Sequence, residues 1–282
     1  MKARCLLVIS HFDRRPIQNL LALLKSLDQY PAGDDYDTCI VVNRTKDDAI
    51  VLPSRYRHIP IIYRHNLGMN IGAWDCGWRQ NDEYRDYLFL QEECYVIRPN
   101  WLNVYRKALS SNIGMVGESL NRQWDNAWSN LRESLSGSYL PEHSLDGFPM
   151  NRVDYYLEMF RRQGVNPGET GRHLRSLIWF MPRDVIAKID GFTIGLNYGE
   201  CIAAEIGTTK KVEALGMRAA QVHEEEFFYI RHLDYNQDKP GTPFSHGARY
   251  ISYPSIKRYV EDMSVLEFAK IKIKKRLGSL KR

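Results

Sequence analysis

An α/β fold, with a mostly parallel central sheet flanked by helices, is predicted for this chain of 282 residues. Three observations predict it. Short apolar runs, CLLVIS (5–10), TCIVVN (38–43), HIPIIY (58–63) and YLFL (87–90), read as strands buried on both faces. Segments with apolar residues at helical spacing separate the first of these strands. A glycine-spaced turn, RHNLGMNIGAWDCGWRQ (64–80), joins the third strand to the next helix.

Each element has a local cause. RPIQNLLALLKSLDQY places Ile17, Leu20, Leu21, Leu24 and Leu27 on one helical face. Glycines at 68, 72 and 77 permit positive φ and close backbone approach, and free N–H groups at such a helix start suit a phosphate or ribose. A tight turn with a small helix face against the sheet explains them equally. GMVGES (114–119) reads as a strand and turn, and SLSGSYLPEHSLDGFPMN (134–151) as a surface loop. NRVDYYLEMFRRQG is a helix closed by Gly164. SLIWFMPRDVIAKIDGF is a strand and a short helix between Pro182 and Gly191. KVEALGMRAAQVH is a helix, a turn at Gly216 and a strand ending at His223.

The net charge of +5 is modest, and the body of the chain has no dense basic stripe with interleaved aromatics, which argues against nucleic-acid binding. Five scattered cysteines without a CxxC pair indicate reduced thiols in a cytosol rather than disulfides or a zinc site. The N-terminal apolar run is broken by His11 and Asp13 and reads as a core strand, not a membrane span. A cytoplasmic protein is expected.

Ligands of open α/β sheets sit at the carboxyl ends of the strands. The residues there are His11 and Asp13, Asn43, Asn66 to Gly72, and Gln91 to Glu93. Strand alternation sends Gln91 and Glu93 to one side and Glu92 to the other. Carboxylates at a buried strand end need a cation, either Mg²⁺ or Mn²⁺ or an arginine such as Arg98. NYGECIAAE (197–205) opens a helix with Glu200, a candidate general base or a favourable charge at the helix dipole. In VHEEEFFYIRH (222–232), His223 follows a short strand and is either a metal ligand or an ordinary packed residue.

In this order the segments resemble the family 2 glycosyltransferases with the Rossmann-like GT-A fold, particularly bacterial enzymes of surface-polysaccharide synthesis. The resemblance runs from Cys5 to His223. It is carried by LLVISHFDRRPIQNLLALLKSL, CIVVNRTKDD, RHNLGMNIGAWDCG, YLFLQEECYVIRPNWL, SLIWFMPRDVIAKIDGF and NYGECIAAE. It implies a nucleotide-sugar donor held by His11, Asp13, Asn43, Asn66, Gly68, Asn70, Gly72 and Gln91. It further implies a divalent cation (Mn²⁺ or Mg²⁺) on Glu93 and His223, and Glu200 as the base in an inverting transfer to a glycan or lipid-linked glycan. The chain departs from the pattern in three places. Asn43 replaces the base-reading aspartate, Gln91-Glu92-Glu93 replaces Asp-x-Asp, and Cys201 stands where the catalytic aspartate is common, with Glu205 as a fallback base. These departures keep open a catalytically inactive nucleotide-sugar or glycan binding module. An oxidoreductase is disfavoured, because the glycines follow the third strand and lack GxGxxG spacing.

The expected organisation is a nucleotide-sugar half (1–113), an acceptor half (114–235) and a C-terminal helical extension (236–282). The extension ends in VLEFAKIKIKKRLGSLKR, with no acid after Glu267. Leu266, Ile273, Leu277 and Leu280 at helical spacing suggest a basic amphipathic helix on an anionic membrane, at the inner face of the plasma membrane.

Overall fold

The structure is a computed structural model that describes residues 3–136, 139–145 and 148–235. The expected C-terminal helix and its membrane face lie outside the described residues.

The chain opens with β1 (Cys5–Phe12), α1 (Ile17–Gln29), β2 (Tyr36–Arg44), β3 (Ile61–His65), α2 (Met69–Arg79) and β4 (Asp86–Gln91). It continues through β5 (Cys94–Val96), α3 (Trp101–Ala108), β6 (Ile113–Gly117), α4 (Trp128–Ser134), β7 (Tyr139–Leu145), β8 (Phe148–Asn151) and α5 (Arg152–Gln163). The last elements are β9 (Ile178–Pro182), α6 (Arg183–Lys188), α7 (Tyr198–Ala214), β10 (Arg218–Gln221) and β11 (Ile230–His232).

Seven strands form one sheet in the order β10-β6-β9-β4-β1-β2-β3. Strand β9 runs antiparallel to both neighbours, β4 and β6, and the remaining pairs are parallel. The carboxyl ends of β1, β2, β3, β4, β6 and β10 therefore open on one edge, where the start of β9 also lies.

Both faces of the sheet are covered. Leu7, Ile9, Ile40, Val42, Leu88 and Leu90 pack with Leu20, Leu23 and Leu24 of α1 and with Trp101 and Tyr105 of α3. The alternate residues Leu6, Val8, Val41, Tyr87 and Phe89 pack with Trp74 and Trp78 of α2, Ile186 of α6 and Val212 of α7. This alternation is why the strands read as unbroken apolar runs. The glycine turn starts the helix and lets it pack closely. Gly68 takes φ +74 to start α2, and a Cβ on Gly77 would lie 2.4 Å from Val8 Cγ1, so only glycine lets α2 lie this close to the sheet.

Two local readings are corrected. The expected surface loop at 134–151 contains the β7–β8 hairpin, pinned because His143 is buried edge-on to Tyr155 and Tyr156 and Asn151 caps α5 by accepting the Val153 N–H. The KVEA segment is not a separate helix but the last turn of α7. No helix among the described residues is long and apolar enough to cross a membrane.

Candidate active site

Strand β4 ends at Gln91, and the chain turns into β5, which pairs antiparallel with β11 so that His232 lies opposite Cys94. That pairing brings an imidazole to the acidic strand end. Gln91 and Glu93 share one side: His232 Nε2 is 3.2 Å from Gln91 Oε1 and 3.7 Å from Glu93 Oε2. The other Glu93 oxygen is 3.0 Å from Arg15 Nη1. Glu92 turns the opposite way, accepting the Phe12 N–H at 3.2 Å with His11 Nδ1 3.8 Å away.

Burial sets the protonation of these groups. It raises Glu93, against which the Arg15 charge works, and pushes Glu92 up to about 7, with the neighbouring Glu93 charge adding to the effect. It lowers His11 and His232 to about 4, so both rings are neutral at pH 7.

Among the described residues, Glu93, His232 and Asp234 place ligand atoms within 4.8 Å of one another. Two carboxylates and a neutral imidazole match the oxygen and nitrogen donors that Mn²⁺ accepts. The Asp234 N–H donates to His232 Nδ1 at 3.2 Å, which leaves the ring proton on Nε2, facing Gln91. A cation on Nε2 therefore requires that proton to move to Nδ1 and the Asp234 contact to be released.

His223 does not join this group. It follows β10, three strand spacings from β4 across the sheet, or roughly 14 Å. There it stacks on Phe228 with ring centroids 3.6 Å apart, and its Nδ1 accepts the Glu225 N–H. The histidine at the cluster is the one that ends the same VHEEEFFYIRH run. Strand order separates the two, and β5–β11 pairing is not written in local periodicity. Arg15, Asp234 and Ser176 were likewise missed.

The remaining expected residues are held by local partners. Asp13 accepts the Thr45 and Lys46 N–H groups, holding the loop after β2. Asn43 is buried; its Nδ2 donates to Met69 O at 2.9 Å and its Oδ1 accepts from Arg64 Nη1 at 2.6 Å. Asn66 is half-buried in the turn before α2, and a Cβ on Gly72 would meet Leu67 O. Asn70 Nδ2 and Gln91 Nε2 both donate to Ser176 O, and the Ser176 N–H and hydroxyl donate to Glu205. Burial would raise Glu205, but hydrogen bonds from His173 and Ser176 outweigh it and leave the carboxyl below its usual range. Glu200 forms a reciprocal cap: its N–H donates to Asn197 Oδ1, and its carboxylate accepts the Leu196 N–H at 2.8 Å and Asn197 Nδ2 at 3.3 Å. Beside it, burial pushes the Cys201 thiol up to about 12, so it is no nucleophile at neutral pH.

A second carboxylate organises the site from outside. Glu118, just past β6, accepts the Tyr105 hydroxyl at 2.8 Å and the N–H groups of Phe228 and Ile230 at 2.8 and 3.0 Å. This fixes the approach of β11 and hence of His232.

No protein-family model matches the chain, and no curated protein matches it. Among solved structures it is similar to a mannosyltransferase of Pyrobaculum calidifontis in complex with GDP-Man and Mn²⁺, at 11% identity and a TM-score of 0.45, over 78% of this chain and 55% of that one. It is also similar to the apo structure of the bifunctional glycosyltransferase WbbM, at 12% identity and a TM-score of 0.40, over 78% of this chain and 39% of that one. The chain thus spans about half, or less, of the length of these two structures.

Proposed function

We propose that this protein is a glycosyltransferase that moves a sugar from a nucleotide-sugar donor to a hydroxyl of a glycan or lipid-linked glycan, with a divalent cation and inversion at the anomeric carbon. The observation that carries the reading is the meeting of Glu93, His232 and Asp234 at the carboxyl end of β4, on the edge where the parallel strands end. The ordered sequence resemblance supports it independently.

Glu93, Asp234 and His232 would hold the cation, which when bound neutralises charge on the departing nucleoside diphosphate. Arg15, ion-paired to Glu93, would share a diphosphate oxygen. Asn70 and Gln91 are locked onto Ser176 O, so the donor meets a floor that needs no reorganisation. The base is assigned to Glu200, which takes the proton from the acceptor hydroxyl as that oxygen attacks the anomeric carbon. Two features favour it over Glu205. The loop before it packs on the glycine turn, since a Cβ on Gly68 would lie 2.8 Å from Ile194 Cγ2. Glu205 is committed to the Ser176 N–H and hydroxyl and to His173, which hold its carboxyl below the usual range.

The test is a thermal-shift screen of nucleotide sugars with and without Mn²⁺, followed by donor hydrolysis. A cognate donor at 100 times its Kd stabilises by about 2.7 kcal/mol. Mn²⁺ is expected to enlarge the shift, and Glu93→Gln to abolish the enlargement. Full turnover in both Glu93→Gln and Glu200→Gln would refute the assignment. A second reading, a nucleotide-sugar binding module without turnover, draws on the engagement of Glu200 in a helix cap and of Glu93 with Arg15. Donor binding with no hydrolysis or transfer would select it. The basic sequence of residues 236–282 supports placement at an anionic membrane surface, which co-sedimentation with phosphatidylserine vesicles would test.

A further inference from the structure

A shallow, open cavity of about 630 Å³ lies at the ends of β6 and β10, on the same sheet edge as the acidic cluster. Its walls include Leu120, Arg122, Arg172, Gln221, His223 and Glu224. The size suits a sugar-sized ligand.

The two arginines are mounted on a fixed frame. Leu120 and Leu174 form an antiparallel bridge, flanked by hydrogen bonds from the Asn121 N–H to His173 O and from the Arg175 N–H to Ser119 O. Arg122, which opens a 3-10 turn after this bridge, and Arg172, which precedes its other strand, both line the cavity. Gly171 is packed so tightly that a Cβ would lie 2.6 Å from Leu131 Cδ1, and His173 is buried, so the backbone at Arg172 has little freedom. Two guanidinium groups lining one pocket repel each other.

The surrounding groups do not relieve that cost. Arg122 Nη2 donates to Glu224 O at 3.0 Å, a backbone oxygen rather than a carboxylate. Arg172 is half-buried, and among the described residues its guanidinium makes no ion pair and no hydrogen bond. Gln221 is spent on the frame: it accepts the Leu120 N–H and donates to His223 O and Glu224 O. One carboxylate, that of Glu224, lines the cavity against two guanidinium groups, and nearby Glu226 is engaged by Arg175 at 3.4 Å. His223 forms an aromatic wall, stacked on Phe228, whose ring also lies 4.0 Å from the Arg98 guanidinium carbon.

We propose that this cavity binds an oxyanion carried on a sugar, with Arg172 and Arg122 as the clamp and His223 as a stacking wall. Guanidinium forks recognise carboxylate and phosphate in the same two-pronged way, so both are candidate sources of the anion. A polar chain runs from Gln91 through Ser176, Glu205 and His173 to Asn121, beside Arg122, and joins this cavity to the acidic cluster. Under the transferase reading, on which this assignment of role rests, the ligand is an acidic acceptor sugar. The binding itself does not require that reading.

The experiment is calorimetric titration of the whole chain with glucuronate, glucose 1-phosphate and glucose. At least one anionic sugar is expected to bind tenfold or more tightly than glucose, the preferred one identifying carboxylate or phosphate as the source. Arg172→Gln and Arg122→Gln are each expected to weaken it at least tenfold while leaving the melting temperature in place. If one variant fails to fold, the other still decides. Equal binding of glucose, unchanged affinity in the folded variants, or no binding of either anion would overturn the proposal. Glu93→Gln separates the two readings. It should keep anionic-sugar binding while losing Mn²⁺-dependent donor binding. Anionic-sugar binding in a wild-type chain that takes no nucleotide sugar would remove the transferase reading and leave this one.

Discussion

Two parallel strands, β4 and β6, each deliver a carboxylate to the same edge of the sheet, and the two carboxylates have opposite surroundings. Glu118, past β6, is enclosed by a tyrosine hydroxyl and by main-chain N–H groups of residues 228–230, with its lone pairs committed. Among the described residues Glu93, past β4, is met by the side chains of Arg15 and His232, with the exposed Asp234 alongside. Backbone donors cannot be displaced without unfolding the segment that carries them, whereas an arginine side chain can rotate towards a ligand. The first arrangement is suited to an anchor and the second to a site.

The largest expected effect comes from breaking the anchor. Glu118→Gln turns an NH₂ donor towards N–H and O–H donors in a buried place, and is expected to cost about 3–5 kcal/mol in urea unfolding. Because the same donors position β11, any folded fraction should also lose Mn²⁺-dependent donor binding. Retention of wild-type stability would mean that Glu118 is not the clasp drawn above.

A buried base offers the next test. His143 is fully buried against Tyr155 and Tyr156, and burial lowers it from 6.5 to about 4. Its folded value lies below its unfolded one, so its contribution is complete above pH 6.5 and is lost as the pH falls towards 4. At about 1.4 kcal/mol per unit, the loss is on the order of 3 kcal/mol. Unfolding free energies measured at pH 7, 5.5 and 4 should fall less steeply for His143→Phe than for the wild type. An unchanged slope would place the titration elsewhere.

The smallest effects sharpen the contrast. Glu93→Gln should cost less metal-free stability than Glu118→Gln, since a glutamine oxygen can still accept from Arg15, and that part-exposed side chain can turn to solvent. Glu158, with Arg161 and Arg162 on the exposed face of α5, has two cationic partners but no enclosure, and Glu158→Gln should leave the melting temperature unchanged. A large loss in either would mean that partner identity matters less than supposed here.

Much of the first half was legible because its signals are local. The buried strands, the face of α1 and the start of α2 at Gly68 follow from periodicity and from the φ that glycine permits. The alternation that turns Gln91 and Glu93 together and Glu92 away is equally local. The β7–β8 hairpin was not legible, because its residues are loop-formers by composition and are held by contacts with α5. The histidine of the acidic cluster was misread for a related reason. His223 and His232 stand nine positions apart in one run, and only the pairing of β11 with β5 says which one reaches Glu93.

The amino-acid sequence by itself determined which segments are strands and helices, that the sheet is mostly parallel, and that acids gather where β4 ends. Each of those depends on neighbours within a few residues. Tertiary structure alone decided which cation and which imidazole meet those acids, that Glu118 is a clasp, and that Arg122 and Arg172 line one cavity. Such encounters join residues from about 50 to 140 positions apart, and they depend on strand order and register, which no local pattern records.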